Sequence, residues 1–335
     1  MGELVDLHGR RILYLRVSVT NNCNLKCAYC AGGTIAHTYG NRENHLSSNE
    51  LIRVIKCAAK LGIKGVRITG GEPLMRDDIV DLVNGIAALS ELNDISMTTN
   101  GMLLSHHADA LCRAGLKRIN ISLDSLIERK LEALNGASSL RILEGIEAAL
   151  NAGFECVKLN CVVMRGFNLD EVIKLASLSI DRPLHVRFIE LQPVGCERNF
   201  FLQQFISAAQ VLQIIKGEFE LEPIERADEP PGLGPARYFR IKGALGTVGF
   251  IAPVSEPFCI SCNRLRLTYD GILRACLAYN IGVDMKRALK GGDEMVEEAF
   301  RRAAMLKPLG HNYACIAEGT YECPFGNMTM KEIGG

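Results

Sequence analysis

The chain has 335 residues, of which 48% are apolar, and its 38 lysines and arginines balance 38 aspartates and glutamates. This length suggests about two domains with a large core, which excludes a disordered or fibrous protein. The zero formal charge argues against general nucleic-acid binding, which needs a basic surface. No apolar run approaches the roughly 18 residues of a membrane span, and the acidic N-terminus does not resemble a signal peptide. We therefore expect a cytoplasmic protein that binds neither membranes nor nucleic acids.

Between residues 14 and 191, β-rich segments alternate with amphipathic helical patterns. The predicted strands are Tyr14–Thr20, Val66–Thr69, Ile95–Thr99, Arg118–Leu123, Val157–Val163 and Val186–Leu191. The first helix is marked by a capping box, Ser47 with Glu50. Further helices are predicted near Asp77–Ala88, Ser105–Ala114, Ser139–Ala152 and Asp170–Ser177. This alternation predicts right-handed βαβ units and an α/β fold, a partial (β/α)6 TIM-like barrel two units short of the closed eightfold one.

One face of the predicted strands is polar, although strands buried on both faces of a parallel sheet are usually apolar throughout. The polar residues occupy alternate positions, so they share one side of the sheet. They are Arg16, Ser18, Arg67, Thr69, Ser96, Thr98, Asn120, Ser122, Lys158, Asn160 and Arg187. A single inward cation is as easily an ion-pair partner as a ligand contact. Four cations on four strands instead predict a wet, anion-binding cavity inside the barrel.

The composition changes near residue 222. The segment 222–235 contains four prolines and two glycines, which predicts a linker or lid. We therefore divide the chain into a barrel domain, residues 1–221, and a C-terminal α+β extension, residues 222–335. In this extension the predicted strands are Tyr238–Ile241, Gly246–Ile251 and Leu265–Tyr269, and helices are predicted around Met285–Leu289 and Glu294–Met305.

Three cysteines crowd together directly after the first strand. Cys23, Cys27 and Cys30 have the spacing C-x3-C-x2-C, and thiolates this close can share one metal centre. A structural zinc ion needs four ligands, and His37 is the only nearby candidate for the fourth. A cubane [4Fe–4S] cluster held by three cysteines leaves one iron open. The spacing resembles the signature of the radical S-adenosylmethionine (SAM) superfamily.

A second motif, Thr69-Gly70-Gly71-Glu72-Pro73, ends the second strand. Alone, such a Gly-Gly pair is usually only a turn. Glycines let the backbone approach a ligand closely, and Glu72 and nearby carbonyls can accept hydrogen bonds from an ammonium group. One βα unit after the cysteine motif, it resembles the motif that binds the amino group of SAM.

A second cysteine group lies in the C-terminal region. Cys259, Cys262 and Cys276 offer three more thiolates, with Arg264 and Arg266 between them. A zinc site completed by a distant residue is one interpretation. The other is a second three-cysteine iron–sulfur cluster whose open iron binds a substrate. The two arginines add bidentate anion-binding capacity beside either site.

Together these motifs resemble the GTP 3′,8-cyclases of molybdenum cofactor biosynthesis, over nearly the whole chain. The resemblance implies conversion of GTP to 3′,8-cyclo-7,8-dihydroguanosine 5′-triphosphate, with SAM and two [4Fe–4S] clusters as cofactors. In that reaction a 5′-deoxyadenosyl radical takes the ribose C3′ hydrogen, and the C3′ radical attacks guanine C8. A reducing electron donor and a downstream cyclic pyranopterin synthase are the implied partners, and a homodimer is left open.

The resemblance also implies roles for individual residues. The cluster ligands are Cys23, Cys27, Cys30, Cys259, Cys262 and Cys276. The SAM contacts are Tyr29, Gly71, Glu72, Ser122 and Gln192. The GTP contacts are Arg16, Arg67, Thr98, Lys158, Arg187, Arg264 and Arg266, of which Arg264 and Arg266 are also catalytic. The terminal Gly334 and Gly335 match a family feature that reaches into the active site; the alternative is a frayed tail.

Three positions depart from the family pattern. Ala31 and Gln192 replace methionines, and Gly65 replaces a lysine. Cys315 and Cys323 fit no pattern.

Two other classes of function compete with the cyclase. One is a related radical SAM enzyme that modifies a peptide and uses its second cluster only for electron transfer. The other is a non-enzymatic zinc or iron–sulfur scaffold. The inward cations favour the nucleotide, because a peptide substrate gives no reason for so many of them.

Overall fold

The structure is a computed structural model that describes residues 3–31, 45–313 and 330. The strands in these ranges form one sheet. They are β1 Tyr14–Ser18, β2 Gly65–Thr69, β3 Asp94–Thr99, β4 Arg118–Ser122, β5 Cys156–Val163, β6 Leu184–Glu190, β7 Leu221–Pro223, β8 Arg237–Ile241, β9 Thr247–Ile251, β10 Arg264–Leu267, β11 Ile272–Arg274 and β12 Gly282–Asp284. The helices are α1 Ala28–Ala31, α2 Ser48–Lys60, α3 Ile79–Ala87, α4 Ala108–Arg113, α5 Glu128–Asn135, α6 Ser139–Asn151, α7 Val172–Ser177, α8 Arg198–Gln204, α9 Ala208–Glu218, α10 Met285–Lys290 and α11 Asp293–Met305.

The sheet has the strand order β12-β11-β10-β1-β2-β3-β4-β5-β6-β9-β8-β7. The predicted partial barrel is confirmed, since β1 to β6 are neighbours in chain order and pair in parallel. The C-terminal strands β10 and β9 extend the parallel sheet beside β1 and β6, a placement that the sequence did not predict. Antiparallel strands then complete both edges. The proposed division at residue 222 is therefore crossed by one continuous sheet.

Helix α2 shows why these segments are helical. The Ser47 hydroxyl accepts a hydrogen bond from the Glu50 amide (3.3 Å), and the Glu50 carboxylate accepts one from the Ser47 amide (2.8 Å). This is the predicted capping box, which satisfies amides that the first turn leaves free. Leu51, Val54 and other apolar residues on one helix face are buried against the sheet.

The sequence missed four helices: the single turn α1, and α5, α8 and α9. Helix α5 has a mostly polar surface, and α8 is only seven residues long, so neither shows a strong apolar period. Helix α9 carries a capping box of its own, Ser207 with Gln210, which could have been recognised.

The two faces of the parallel strands are separated as the pattern predicted. The apolar set, including Val17, Ile68 and Phe188, is buried in the core that the helices cover. Most of the polar set faces the inside of the curved sheet, where the site described below is formed. No helix in the described ranges is long and apolar enough to cross a membrane.

Candidate active site

A cavity of about 320 Å³ lies inside the curved sheet, and all six predicted cluster ligands line it. This volume lies within the range of small-molecule sites. Its lining also includes most of the other predicted site residues: Arg16, Tyr29, Arg67, Gly71, Thr98, Ser122, Arg187, Gln192, Arg264 and Arg266. The structure therefore brings motifs from both ends of the sequence to one site.

The first cysteine group follows β1 and docks on the glycine motif after β2. The Gly71 amide donates to the Thr20 carbonyl oxygen (2.7 Å), and the Glu72 amide donates to the Asn22 carbonyl oxygen (2.7 Å). A Cβ atom at Gly71 would lie 2.2 Å from the Asn22 oxygen. The glycine is thus required because the backbone leading into Cys23 packs against it, and the two motifs form one unit.

Glu72 does not line the cavity, so its contact with SAM stays a prediction. It is fully buried, and its carboxylate accepts hydrogen bonds from the Thr99 hydroxyl (2.7 Å), the Asn100 amide (2.7 Å) and the Leu74 amide (3.0 Å). Burial raises the pKa of Glu72 to about 7, although these hydrogen bonds lower it. The carboxylate therefore ties the end of β2 to the end of β3.

Tyr29, between two cluster cysteines, is anchored by a residue that the sequence analysis missed. The Tyr29 hydroxyl donates to the Asp124 carboxylate (2.6 Å), which also accepts from the Val162 amide (2.9 Å). Burial raises the pKa of Asp124 to about 6. Its position just beyond the carboxyl end of β4, where functional residues of such barrels gather, could have revealed it.

The second cysteine group reaches the cavity through β10. Cys259 and Cys262 flank a single 3-10 turn, and β10 follows directly and pairs with β1. The register places Arg266 opposite Arg16, which brings distant cations side by side. The Arg264 guanidinium also lies over the Phe258 ring, 5.0 Å from its centroid.

Positive charge dominates the cavity wall. Within the described part of the chain, the lining contains five arginines and Lys307 but one carboxylate, that of Asp124. Burial, and then the neighbouring Arg264, lowers the pKa of Arg266 to about 10. Burial, and then Arg266 and Arg67, holds the pKa of Arg16 well below its ordinary value. Cations crowded in this way are stabilised by a bound polyanion.

Buried polar atoms of the lining that have no hydrogen-bond partner among the described residues include Nε of Arg187, Nε of Arg264 and Oγ1 of Thr98. The remainder of the Arg187 guanidinium is fixed, since it donates to Asn120 (2.6 Å) and Asn160 (2.5 Å). Buried polar groups are normally satisfied, so these atoms are suited to a polar ligand.

Lys158 does not line the cavity, and its predicted contact with GTP is not supported. Its ammonium donates to the Pro231 carbonyl oxygen (2.7 Å) and lies 5.6 Å from the centroid of the Tyr238 ring. Burial, and then Arg187, lowers the pKa of Lys158 to about 6. The proline-rich segment thus packs against Lys158 and Arg118 at the end of the barrel that we call its floor, where a Cβ atom at Gly232 would lie 2.7 Å from the Arg118 guanidinium.

The glycine at position 65 has a packing reason. A Cβ atom there would lie 2.6 Å from the Tyr14 ring. The Tyr14 hydroxyl is hydrogen bonded to Ser96 (3.1 Å), and the Arg67 guanidinium lies 5.5 Å from the ring centroid. Tyr14 therefore occupies the space that a lysine at position 65 would need.

Some predicted features lie outside the described residues. They are Gly334, Gly335, His37, Cys315 and Cys323. Met330, which is described, lines the cavity.

Comparisons with known proteins place this site in a family. Residues 17–178 match the profile of the Radical SAM superfamily, and residues 184–313 match Molybdenum Cofactor Synthesis C. A GTP 3′,8-cyclase of Pelotomaculum thermopropionicum is 43% identical over 98% of this chain and 99% of that protein. The GTP 3′,8-cyclase of Geobacter sulfurreducens is 44% identical over 99% of this chain and 100% of that protein. The chain belongs to the GTP 3′,8-cyclase family.

The fold comparison agrees with this membership. Streptococcus suis SuiB bound to S-adenosylmethionine superposes with a TM-score of 0.61 at 14% identity, over 92% of this chain and 67% of SuiB. At that identity the likeness shows the fold alone. Membership of the radical SAM superfamily implies SAM and one [4Fe–4S] cluster as cofactors.

The number of cysteines in each group fits a cubane cluster better than a structural zinc ion. The thiols of both groups line the same cavity. A structural zinc ion needs four ligands, whereas a cubane cluster held by three thiolates has one open iron.

Proposed function

We propose that the protein converts GTP to 3′,8-cyclo-7,8-dihydroguanosine 5′-triphosphate, the first step of molybdenum cofactor biosynthesis. The observation that carries this proposal is one cavity lined by two cysteine triads, with arginines concentrated at the second. The relatives named above are GTP 3′,8-cyclases, and this chain matches them over nearly their whole length. We place the reaction in the cytoplasm, where GTP is available.

The first triad, Cys23, Cys27 and Cys30, is proposed to hold the [4Fe–4S] cluster that binds SAM. When bound, the reduced cluster and SAM supply a 5′-deoxyadenosyl radical that abstracts a hydrogen atom. Tyr29, Gly71, Ser122 and Gln192 line the cavity and are proposed to contact SAM.

The second triad, Cys259, Cys262 and Cys276, is proposed to hold a second [4Fe–4S] cluster next to GTP. The triphosphate brings about four negative charges, and each buried charge-assisted hydrogen bond to it contributes about 1.5–3 kcal/mol. The proposed GTP contacts are Arg16, Arg67, Thr98, Arg187, Arg264 and Arg266. The unpartnered atoms of Thr98, Arg187 and Arg264 support this assignment, because a bound nucleotide can satisfy them.

The enclosed cavity also suits radical chemistry, because it keeps water and other reactants away from an unpaired electron. We propose that Gly334 and Gly335 enter it and act in catalysis with Arg264 and Arg266. The position of Met330 in the cavity lining supports this, since only a few residues separate it from the diglycine. An external electron donor and a downstream cyclic pyranopterin synthase complete the proposal.

The decisive experiment is anaerobic turnover with SAM, dithionite and one nucleoside triphosphate at a time. We expect GTP to yield the cyclic nucleotide and one 5′-deoxyadenosine per product, whereas ATP, CTP and UTP yield none. Cleavage of SAM without any nucleotide product, together with turnover of a peptide, would favour the peptide-modifying alternative.

A further inference from the structure

Lys307 joins the backbone segments that carry two cysteines of the second triad. It follows α11, is only 4% exposed, and its ammonium donates to the Arg264 carbonyl oxygen (2.8 Å) and the Ala275 carbonyl oxygen (2.9 Å). Arg264 is two residues after Cys262, and Ala275 directly precedes Cys276. One buried ammonium therefore sets the distance between these two segments.

Arg10 ties the segment of the remaining cysteine, Cys259, to the residues that follow Lys307. Its guanidinium donates to the carbonyl oxygens of Cys259 (2.7 Å), Pro308 (2.7 Å) and Leu309 (3.1 Å). Asp6 fixes the same guanidinium through an ion pair of 2.5 Å. Through Arg10 and Lys307, all three cysteine segments are tied to residues 307–309.

The two cations differ in how their charge is balanced. The carboxylate of Asp6 compensates Arg10, whereas Lys307 forms no ion pair with any carboxylate in the described ranges. Lys307 instead lines the cavity close to the Cys262 thiol. A buried cation without a counterion is costly, so this position is suited to an anionic group held by thiolates.

We propose that Lys307 is a positioning residue for the second cluster, and that its charge also raises the reduction potential of that cluster. This inference rests on the proposed function, which places a [4Fe–4S] cluster on the second triad. One-electron reduction adds a negative charge to the cluster, and a nearby ammonium stabilises the reduced form more than the oxidised form. The fixed backbone segments hold the three sulfur atoms at the spacing that the cluster requires.

The test compares four variants of the full chain after anaerobic reconstitution. Lys307→Gln keeps hydrogen-bond donors but removes the charge, Lys307→Met removes both, and Lys307→Arg keeps both. Lys56→Met removes a charge at an exposed position of α2 and is the matched control. Iron content and a dithionite titration followed by electron paramagnetic resonance are measured, and SAM is added to identify the signal of the first cluster.

We expect about eight irons in the parent protein, at four per cluster. In Lys307→Gln the ratio of reduced to oxidised second cluster at a fixed potential should fall about tenfold, a shift of about 59 mV to lower potential. The first cluster, Lys307→Arg and Lys56→Met should keep the parent potentials. Selective loss of four irons in Lys307→Met but not in Lys307→Arg would also support the proposal.

Two results would overturn this proposal, and they differ in whether the proposed function also fails. An unchanged second potential in Lys307→Gln and Lys307→Met, with full iron content, removes the role of Lys307 but leaves the proposed function intact. About four irons in the parent, unaffected by replacing the second triad, removes the second cluster and with it both proposals. If Lys307→Gln does not fold, Lys307→Met against Lys56→Met gives the same comparison.

Discussion

The two cysteine triads line the same cavity but have opposite electrostatic surroundings. Beside the first lie Asp124, Asn135 and the Asn100 side-chain amide. Beside the second lie Arg264, Arg266 and Lys307. The sulfonium and ammonium groups of SAM suit the first environment, whereas a triphosphate suits the second. Neighbouring charge, more than cysteine spacing, distinguishes the two sites.

The triads also differ in how the protein holds them. The first depends on close backbone packing, since the loop before Cys23 rests on Gly70 and Gly71. The second depends on two buried cations, Arg10 and Lys307, that donate hydrogen bonds to backbone carbonyl oxygens. Damage to each triad should therefore follow from different kinds of substitution.

Removal of the second triad should produce the largest effect. In a variant with Cys259, Cys262 and Cys276 all changed to Ala, iron should fall from about eight to about four per chain. Cyclisation should be lost, while SAM cleavage by the first cluster persists, because the first triad is separately held. Iron analysis and 5′-deoxyadenosine assays measure both. Zinc at this triad in protein purified without oxygen would contradict the prediction.

Gly71→Ala should damage only the first triad. Its Cβ would meet the Asn22 carbonyl oxygen at 2.2 Å, so the cysteine loop must move, and displacement of about 1 Å can lower a rate about 10²-fold. We expect SAM cleavage to fall by about that factor while the second cluster remains. The control is Gly217→Ala in α9, where nothing lies within 4 Å of the added Cβ. Equal activity of the two variants would refute the docking role of Gly71.

Substitution of Arg67 and of Lys158 should show which of these two strand cations contributes to GTP affinity. Arg67→Met removes a cation of the lining, and GTP affinity should fall about tenfold or more, as expected from the loss of one charge-assisted contact. Lys158→Met, matched in chemistry but bound to the linker, should change it less than about threefold. Isothermal titration calorimetry with GTP under anaerobic conditions provides the comparison. Equal losses would show that the triphosphate reaches the floor.

The last prediction concerns the pH dependence of stability, which leaves GTP turnover untouched. Because the pKa of Lys158 is lowered to about 6 from an ordinary value of about 10.4, the unfolded chain binds more protons than the folded protein between these values. The free energy of unfolding should therefore rise with pH in this window, by up to about 1.4 kcal/mol per pH unit from this group. Lys158→Met should lack that contribution. Urea unfolding at pH 7 and pH 9 measures this contribution. An identical change in the free energy of unfolding between the two pH values in the parent and in Lys158→Met would contradict the prediction.

Local patterns predicted the barrel, both triads and the polar face, because strand periodicity and motif spacing depend on residues that are close together in the sequence. The pairing of β10 with β1 was not predictable in this way, since their contact depends on residues far apart in sequence. Glu72 and Lys158 were assigned from motif and parity alone. Their partners in the structure include the Asn100 amide and the Pro231 carbonyl oxygen, backbone groups that no side-chain pattern reveals. Lys307 and Asp124 belong to no recognisable motif.

The pairing of β1 with β10 also affects how the protein is made. Tyr14 lies opposite Arg264, so β1 leaves the ribosome about 250 residues before its neighbour. At about 5–20 residues per second, this delay lasts roughly 10–50 s. During translation the thiols of Cys23, Cys27 and Cys30 are therefore exposed on a nascent chain whose barrel still has an open edge. A cluster assembled during translation would therefore meet the complete first triad before the thiols of Cys259, Cys262 and Cys276 are synthesised.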